Sequence, residues 1–183
     1  MASFKDGAVV QICFVVTDIR AAMAGLTASL GAGPWFWRER GVFPRQRLHG
    51  RPVDTELSIA MAGQGDMIYE LIEKLDKGPS VYDAVIAQGG GMHHVGVVAR
   101  DYPAACAART AQGERLVYEA EVLYGARVGY FDTRATIPGM TPPPMVELIE
   151  FPAATQAMFA RILEAHAGWD GSAPLRPLGP LQG

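Results

Sequence analysis

The stretch QICFVVTDIRAA at residues 11–22 returns, without a gap, as HVGVVARDYPAA at residues 94–105. The alignment sets Gln11 against His94, Val15 against Val98, Asp18 against Asp101, and Ala21-Ala22 against Ala104-Ala105. Each copy opens on a β-branched, apolar run and passes through an Asp into an Ala-rich segment, the pattern of a strand followed by a capped helix. Self-similarity at a constant offset over two such elements indicates a duplicated structural unit. The first residue of each copy, Gln11 or His94, is of a type that can bind a metal.

A second repeat lies downstream in each half. Glu-Leu-Ile-Glu occurs at Glu70–Glu73, within MIYELIE, and at Glu147–Glu150, within PMVELIE. Both copies have strand composition. Because side chains alternate across a strand, Glu70 shares a face with Ile68 and Ile72, and Glu147 with Met145 and Ile149. A carboxylate on an apolar face needs a cation, a metal or a set of donors, since an unpartnered buried charge is costly. Glu73 and Glu150 fall on the opposite faces, where solvent or a helix end can meet them.

The intervening chain fills out the units. A strand over residues 8–16, a helix over about 19–30 closed by Gly31, an aromatic strand from Trp35, a strand over about 53–61 and the first Glu-Leu-Ile-Glu strand give strand, helix and three strands. Residues 43–52, rich in Pro and Arg, have the composition of an irregular loop. Trp35, Phe36 and Trp37 are expected in the core and the cleft wall. A short helix near 80–88 and Gly89-Gly90-Gly91 join this unit to the next, where a strand at 93–99, a helix at about 101–112 and strands at 115–121 and 126–132 precede the Glu147 strand. The Pro-rich segment 133–144 is positioned to border the mouth of a site. An amphipathic helix over 153–167 and an extended or disordered tail follow. The expected organisation is α+β, with βαβββ modules at residues 8–75 and 92–151, a joint at 76–91 and a terminal helix and tail at 152–183. Pseudo-twofold symmetry between the modules would gather Gln11, Glu70, His94 and Glu147 in one metal-binding cleft.

Composition restricts the alternatives. The chain has 183 residues and a formal net charge of -3, with no basic cluster to track a phosphate backbone, so nucleic acid is not the expected partner. Neither an apolar leader nor a membrane-length apolar run is present, and a cytoplasmic location is expected. Cys13 and Cys106 lack a Cys-x-x-Cys spacing and have the surroundings of buried small hydrophobes.

The doubled strand-helix-three-strand unit, with a ligand-type residue on the first and last strand of each copy, resembles the vicinal oxygen chelate superfamily over nearly the whole chain. Within that superfamily, Glu70-Leu71-Ile72-Glu73, the Ser80 helix and GGMHHVG at residues 90–96 look like methylmalonyl-CoA epimerase, although Gln11 stands where that family usually has His. The ordered set Gln, Glu, His, Glu is similar to that of eukaryotic-type glyoxalase I. The resemblance implies a small-molecule substrate, an acyl thioester or a hemithioacetal, and a homodimer; exposed sheet edges point the same way.

His94 is the expected ligand rather than His93, because the repeat pairs His93 with Val10, which cannot bind metal. Gln11 is a weak neutral donor that could equally hydrogen-bond a strand or a carboxylate. Two carboxylates, an imidazole and an amide suit Zn, Co, Ni or Mn. Such an ion would stabilise an enolate while Glu147, the expected base, removes the proton next to a carbonyl. Asp54 and Glu56 are candidates for a second base. The set fits an extradiol dioxygenase poorly, since iron there typically takes two His and one Glu. A non-catalytic binding or resistance protein of the same fold is the alternative from another class.

Overall fold

The computed structural model describes residues 4–134, 139 and 144–179. In chain order its elements are β1 (Val9–Val15), α1 (Ile19–Leu30), β2 (Trp35–Val42), β3 (Arg47–Leu48), β4 (Arg51–Pro52), β5 (Glu56–Gln64), β6 (Met67–Lys74), α2 (Asp83–Ile86), β7 (Gly91–Ala99), α3 (Tyr102–Ala111), β8 (Arg115–Glu121), β9 (Arg127–Asp132), β10 (Met145–Glu150), α4 (Ala153–Ala167) and β11 (Leu175–Pro177). The mixed α+β organisation agrees with the sequence.

The strands form one sheet in the order β11-β2-β5-β6-β1-β7-β10-β9-β8-β3-β4. On either side of the antiparallel β1–β7 pair the sequence of strands is the same, β6-β5-β2 on one side and β10-β9-β8 on the other. β1 runs parallel to β6 and β7 parallel to β10, so the strands carrying Glu70 and Glu147 flank the central pair.

The matched Asp residues do matched work. Asp18 accepts a hydrogen bond from the Ala21 amide at 2.9 Å and Asp101 one from the Ala104 amide at 3.1 Å, each satisfying a free donor of the first turn. α1 then ends where Gly31 takes φ 71° and its N–H reaches the Thr27 carbonyl, a left-handed cap that glycine adopts without Cβ strain.

Two segments hold strands that the sequence reading does not expect. Residues 43–52 hold a small β3–β4 pair, and β3 adds to β8 at the far end of the sheet. Gln46, buried, fixes this crossing segment: its amide donates to the Phe43 and Thr55 carbonyls and its oxygen accepts from the Tyr118 hydroxyl. The tail supplies β11, which pairs with β2. β11 covers the edge of β2 only at Trp35–Trp37 and β3 that of β8 only at Tyr118–Glu119; the strands that end the sheet are short, which shortens the edge open to a second copy. The expected mouth segment at 133–144 lies mostly outside the described residues.

Trp35 and Phe36 are buried in the core, as expected. Trp37 donates to the Ser58 hydroxyl and faces the Arg20 guanidinium, and none of the three aromatic residues lines the cavity described below. No helix among the described residues is long and apolar enough to cross a membrane.

Candidate metal centre

Gln11, Glu70, His94 and Glu147 meet at one point, all nearly or fully buried. His94 Nε2 lies 3.4 Å from Glu70 Oε2 and 3.2 Å from Glu147 Oε2. Gln11 Nε2 donates to the same carboxylate oxygens at 2.9 and 3.3 Å and stands 3.5 Å from His94 Nε2. Donors about 2.1 Å from a shared ion are separated from each other by about 3.0–3.4 Å, depending on whether the ion is octahedral or tetrahedral. The imidazole–carboxylate spacings fall in that range. The Gln11 amide nitrogen occupies the centre as the neutral partner of both carboxylates, and a half-turn of the amide would present Oε1 there instead. In donor chemistry and in the two imidazole–carboxylate spacings the residues therefore fit a divalent ion.

Local register explains how the strands deliver them. The β1–β7 ladder pairs Val9 with Val97 but Gln11 with Gly96, leaving Val10 as an extra residue. It pairs Cys13 with His94 but Phe14 with Met92, leaving His93 as another. These bulges fall at matched positions of the repeat. A bulge interrupts alternation, so Val10 and Gln11 both turn inward, as do His93 and His94, with relative exposures of 6, 2, 2 and 0%. The choice between the two histidines is thus not one of faces: His94 reaches the carboxylates, while His93 Nδ1 lies behind it, 2.9 Å from His94 Nδ1.

Gly96 keeps the space clear. A Cβ there would lie 2.9 Å from Gln11 Cβ and 2.8 Å from Ile149 Cδ1, closer than side-chain carbons pack. Its counterpart in the repeat is Cys13, whose strand neighbours are Glu70 on β6 and His94 on β7. Cys13, Glu70 and His94 present ligand atoms within 4.8 Å of one another. Burial, and then the Glu70 carboxylate, raise the Cys13 thiol well above its usual value, which keeps it a neutral S–H. The sequence reading took Cys13 only as a buried hydrophobe; its two-residue spacing from Gln11 was the available signal.

Charge and burial set the protonation states. Burial alone would lower the His94 imidazole, but Glu147 and then Glu70 outweigh it and push the value up to about 9. Burial and the neighbouring His94 push His93 down to about 3, against the Val81 carbonyl, which favours its N–H. Burial raises Glu147, opposed by His94. These shifts act on stability in opposite directions. The contribution of His94 in the metal-free protein is fully present below its ordinary 6.5 and is lost as pH climbs through about 9, on the order of 3 kcal/mol. Keeping His93 neutral costs progressively more as pH falls below 6.5 toward about 3. Metal-free protein is therefore expected to lose Tm between pH 6.5 and pH 9.5; on the acid side the raised Glu147 opposes His93, so the alkaline limb is the test, and a flat profile there in scanning calorimetry would contradict the His94 assignment.

A cavity of about 60 Å³ opens beside the cluster, with Gln11, Glu70 and Glu147 on its floor. Apart from these its walls are largely apolar, including Met61, Tyr130 and Phe159. α4 covers one side, and its Thr155 Oγ1, buried against the cavity, has no hydrogen-bond partner among the described residues. Asp54 and Glu56, the expected second bases, do not line it: Asp54 is exposed and Glu56 is paired with Arg40 at 2.5 Å. Of the outward Glu residues, Glu73 accepts from the Ile19 amide at the start of α1, and Glu150 pairs with Arg127.

A doubled strand order about a central antiparallel pair, with two carboxylates, an imidazole and an amide at its centre, defines a glyoxalase-type cleft protein. The chain belongs to the Glyoxalase/Bleomycin resistance protein/Dioxygenase superfamily, whose model matches residues 10–130. Among solved structures, methylmalonyl-CoA epimerase from Mycobacterium tuberculosis is 16% identical, with a TM-score of 0.55 over 86% of this chain and 96% of that one. A variant of the Streptomyces coelicolor methylmalonyl-CoA epimerase in complex with 2-nitronate-propionyl-CoA is 16% identical, with a TM-score of 0.54 over 81% and 100%. A hypothetical protein from Bacillus halodurans is 18% identical, with a TM-score of 0.57 over 81% and 96%. At these identities the likeness is one of fold. No curated protein matches the sequence.

Proposed function

We propose that the protein is a metal-dependent isomerase that removes a proton from the carbon next to a carbonyl, with an acyl thioester as its substrate class. The observation that carries this reading is the convergence of two buried carboxylates, one imidazole and one amide beside an apolar cavity. Gln11 through Oε1, Glu70, His94 through Nε2 and Glu147 would hold one divalent ion, Zn, Co, Ni or Mn. When bound, that ion supplies a Lewis acid that stabilises the negative charge developing on a carbonyl oxygen.

The chain's own residues do the rest. Glu147, made more basic by burial, takes the proton from carbon. Glu70 projects from β6, across the central strand pair from Glu147 on β10; turned away from the ion and carrying a proton taken from solvent, it would give that proton to the other face of the planar carbon, leaving Glu147 protonated and Glu70 ionised, and it replaces Asp54 and Glu56 in that role. The apolar walls exclude water and so strengthen every charge interaction within. Thr155 offers its free hydroxyl to a substrate oxygen. The alternative, a glyoxalase I-like lyase acting on a hemithioacetal, is favoured by the amide at position 11 and uses the same proton abstraction.

Incubation of metal-loaded protein with 2-methyl-branched acyl thioesters and with 2-oxo hemithioacetals in deuterated water separates the readings. Label beside the thioester carbonyl supports the epimerase. Turnover of hemithioacetals alone moves the assignment to the lyase, and no exchange in either class leaves a binding protein. The reading also includes a cytoplasmic location, βαβββ modules at residues 8–75 and 92–151, and a homodimer; sedimentation at micromolar concentration tests the last.

A further inference from the structure

We infer that His93 is a positioning residue, which holds a proton on His94 Nδ1, so that Nε2, the nitrogen turned to Glu70 and Glu147, is the one that gives up its proton when a metal ion binds. The purpose of this device rests on the metal-site reading above; the place of the Nδ1 proton rests on hydrogen-bond chemistry. A carbonyl oxygen only accepts. The Val81 carbonyl lies 3.2 Å from His93 Nε2, so Nε2 carries the proton and the lone pair of a neutral His93 sits on Nδ1. That lone pair faces His94 Nδ1 at 2.9 Å, a contact that is favourable only if His94 Nδ1 bears hydrogen and donates. A second proton on His93 would set N–H against N–H, with only the Val81 carbonyl, the His94 ring and the Tyr82 and Tyr130 rings around it.

The carbonyl that starts this chain is itself held. Asp83 accepts from the Ser80 amide at 2.9 Å and from its hydroxyl at 2.6 Å, while Ser80 Oγ accepts from the Tyr82 amide at 3.2 Å. These bonds fix the turn that leads into α2 and bracket Val81 on both sides. Lys74 anchors Asp83 from β6 at 2.8 Å. The bulge in β7 is what allows two successive histidines to stand in line, one behind the other.

The duplicated module lacks the device. At the matched bulge in β1 the residue is Val10, which offers no hydrogen bond, so Gln11 has no counterpart of His93 behind it. The pair of modules therefore gives one donor that is oriented in advance and one that is free to turn its amide.

Long-range proton–nitrogen NMR of histidine-labelled protein at one pH tests this directly. His93 should carry its proton on Nε2 with Nδ1 bare, both in metal-free and in zinc-loaded protein, and zinc-loaded His94 should carry its proton on Nδ1. His93→Phe should bind zinc about 10–100-fold more weakly. His93→Gln, whose amide keeps one acceptor and one donor, should recover most of that loss. A proton on His93 Nδ1, or equal zinc affinity in the Phe variant, overturns the inference. If the Phe variant does not fold, the wild-type spectra decide. Failure of the isomerase assay leaves those spectra unaffected, and a wild type that takes up no zinc removes the metal reading while the metal-free spectrum still tests the His93 contact.

Discussion

Glu147→Gln is expected to lose carbon-bound hydrogen exchange by about 10²–10⁴-fold, the range that a positioned general base contributes. The amide has nearly the shape of the carboxylate and keeps one oxygen toward the cluster, so the fold and part of the metal affinity should persist. It cannot take a proton. Burial makes the native carboxylate more basic than an exposed one, and this is the property that the substitution removes. The measurement pairs deuterium incorporation by mass spectrometry with zinc affinity on the same sample. Exchange at the wild-type rate in the variant would assign proton removal to another group, with Glu70 the next candidate.

His94→Ala carries the largest expected cost in stability. In the metal-free protein the imidazolium lies within 3.4 Å of both carboxylates. Its removal leaves two buried acidic groups facing each other, with only the Gln11 amide between them. Breaking a buried charge pair in this way typically costs about 3–5 kcal/mol. The deficit relative to wild type should already be large at pH 7, where most of the His94 contribution is present. Without the imidazole Glu147 is raised further, and a group with a raised folded value gives stability that returns as pH falls toward its ordinary 4.5. The gap should therefore narrow between pH 7 and pH 5 in urea titrations. An unchanged gap across that interval would mean that packing, rather than charge, is what His94 contributes.

The repeat carried most of what could be read in advance. A constant offset between residues 11–22 and 94–105 aligned two strands, two Asp caps and two inward positions, and Glu70 and Glu147 were marked by their apolar neighbours. Those signals depend only on period and local chemistry. The bulges were not legible, because an extra residue at Val10 or His93 leaves the composition of the strand unchanged while reversing which side chains turn inward. The alternation rule made His93 and His94 mutually exclusive, whereas the structure uses both. β3, β4 and β11 are two or three residues long and contain Arg and Pro, too short for a period to register; Pro52 and Pro177 are tolerated because these strands lie at the ends of the sheet. The polar face of a strand marks Asp54 and Glu56, but their position relative to the cluster depends on which strands lie between. The covering of the cavity by α4 is likewise a tertiary fact: an amphipathic pattern shows that a helix has an apolar face, not what that face covers.

The claim on which the functional reading depends is that Gln11, Glu70, His94 and Glu147 share one divalent ion. Elemental analysis of protein purified without added metal or chelator tests it most directly, with His94→Ala and Glu70→Ala prepared in parallel. The expected result is close to one equivalent of a transition metal or zinc per chain in wild type and little in either variant. Wild-type protein free of metal that also fails to take up zinc, cobalt, nickel or manganese on dialysis, or variants that carry as much metal as wild type, would contradict it.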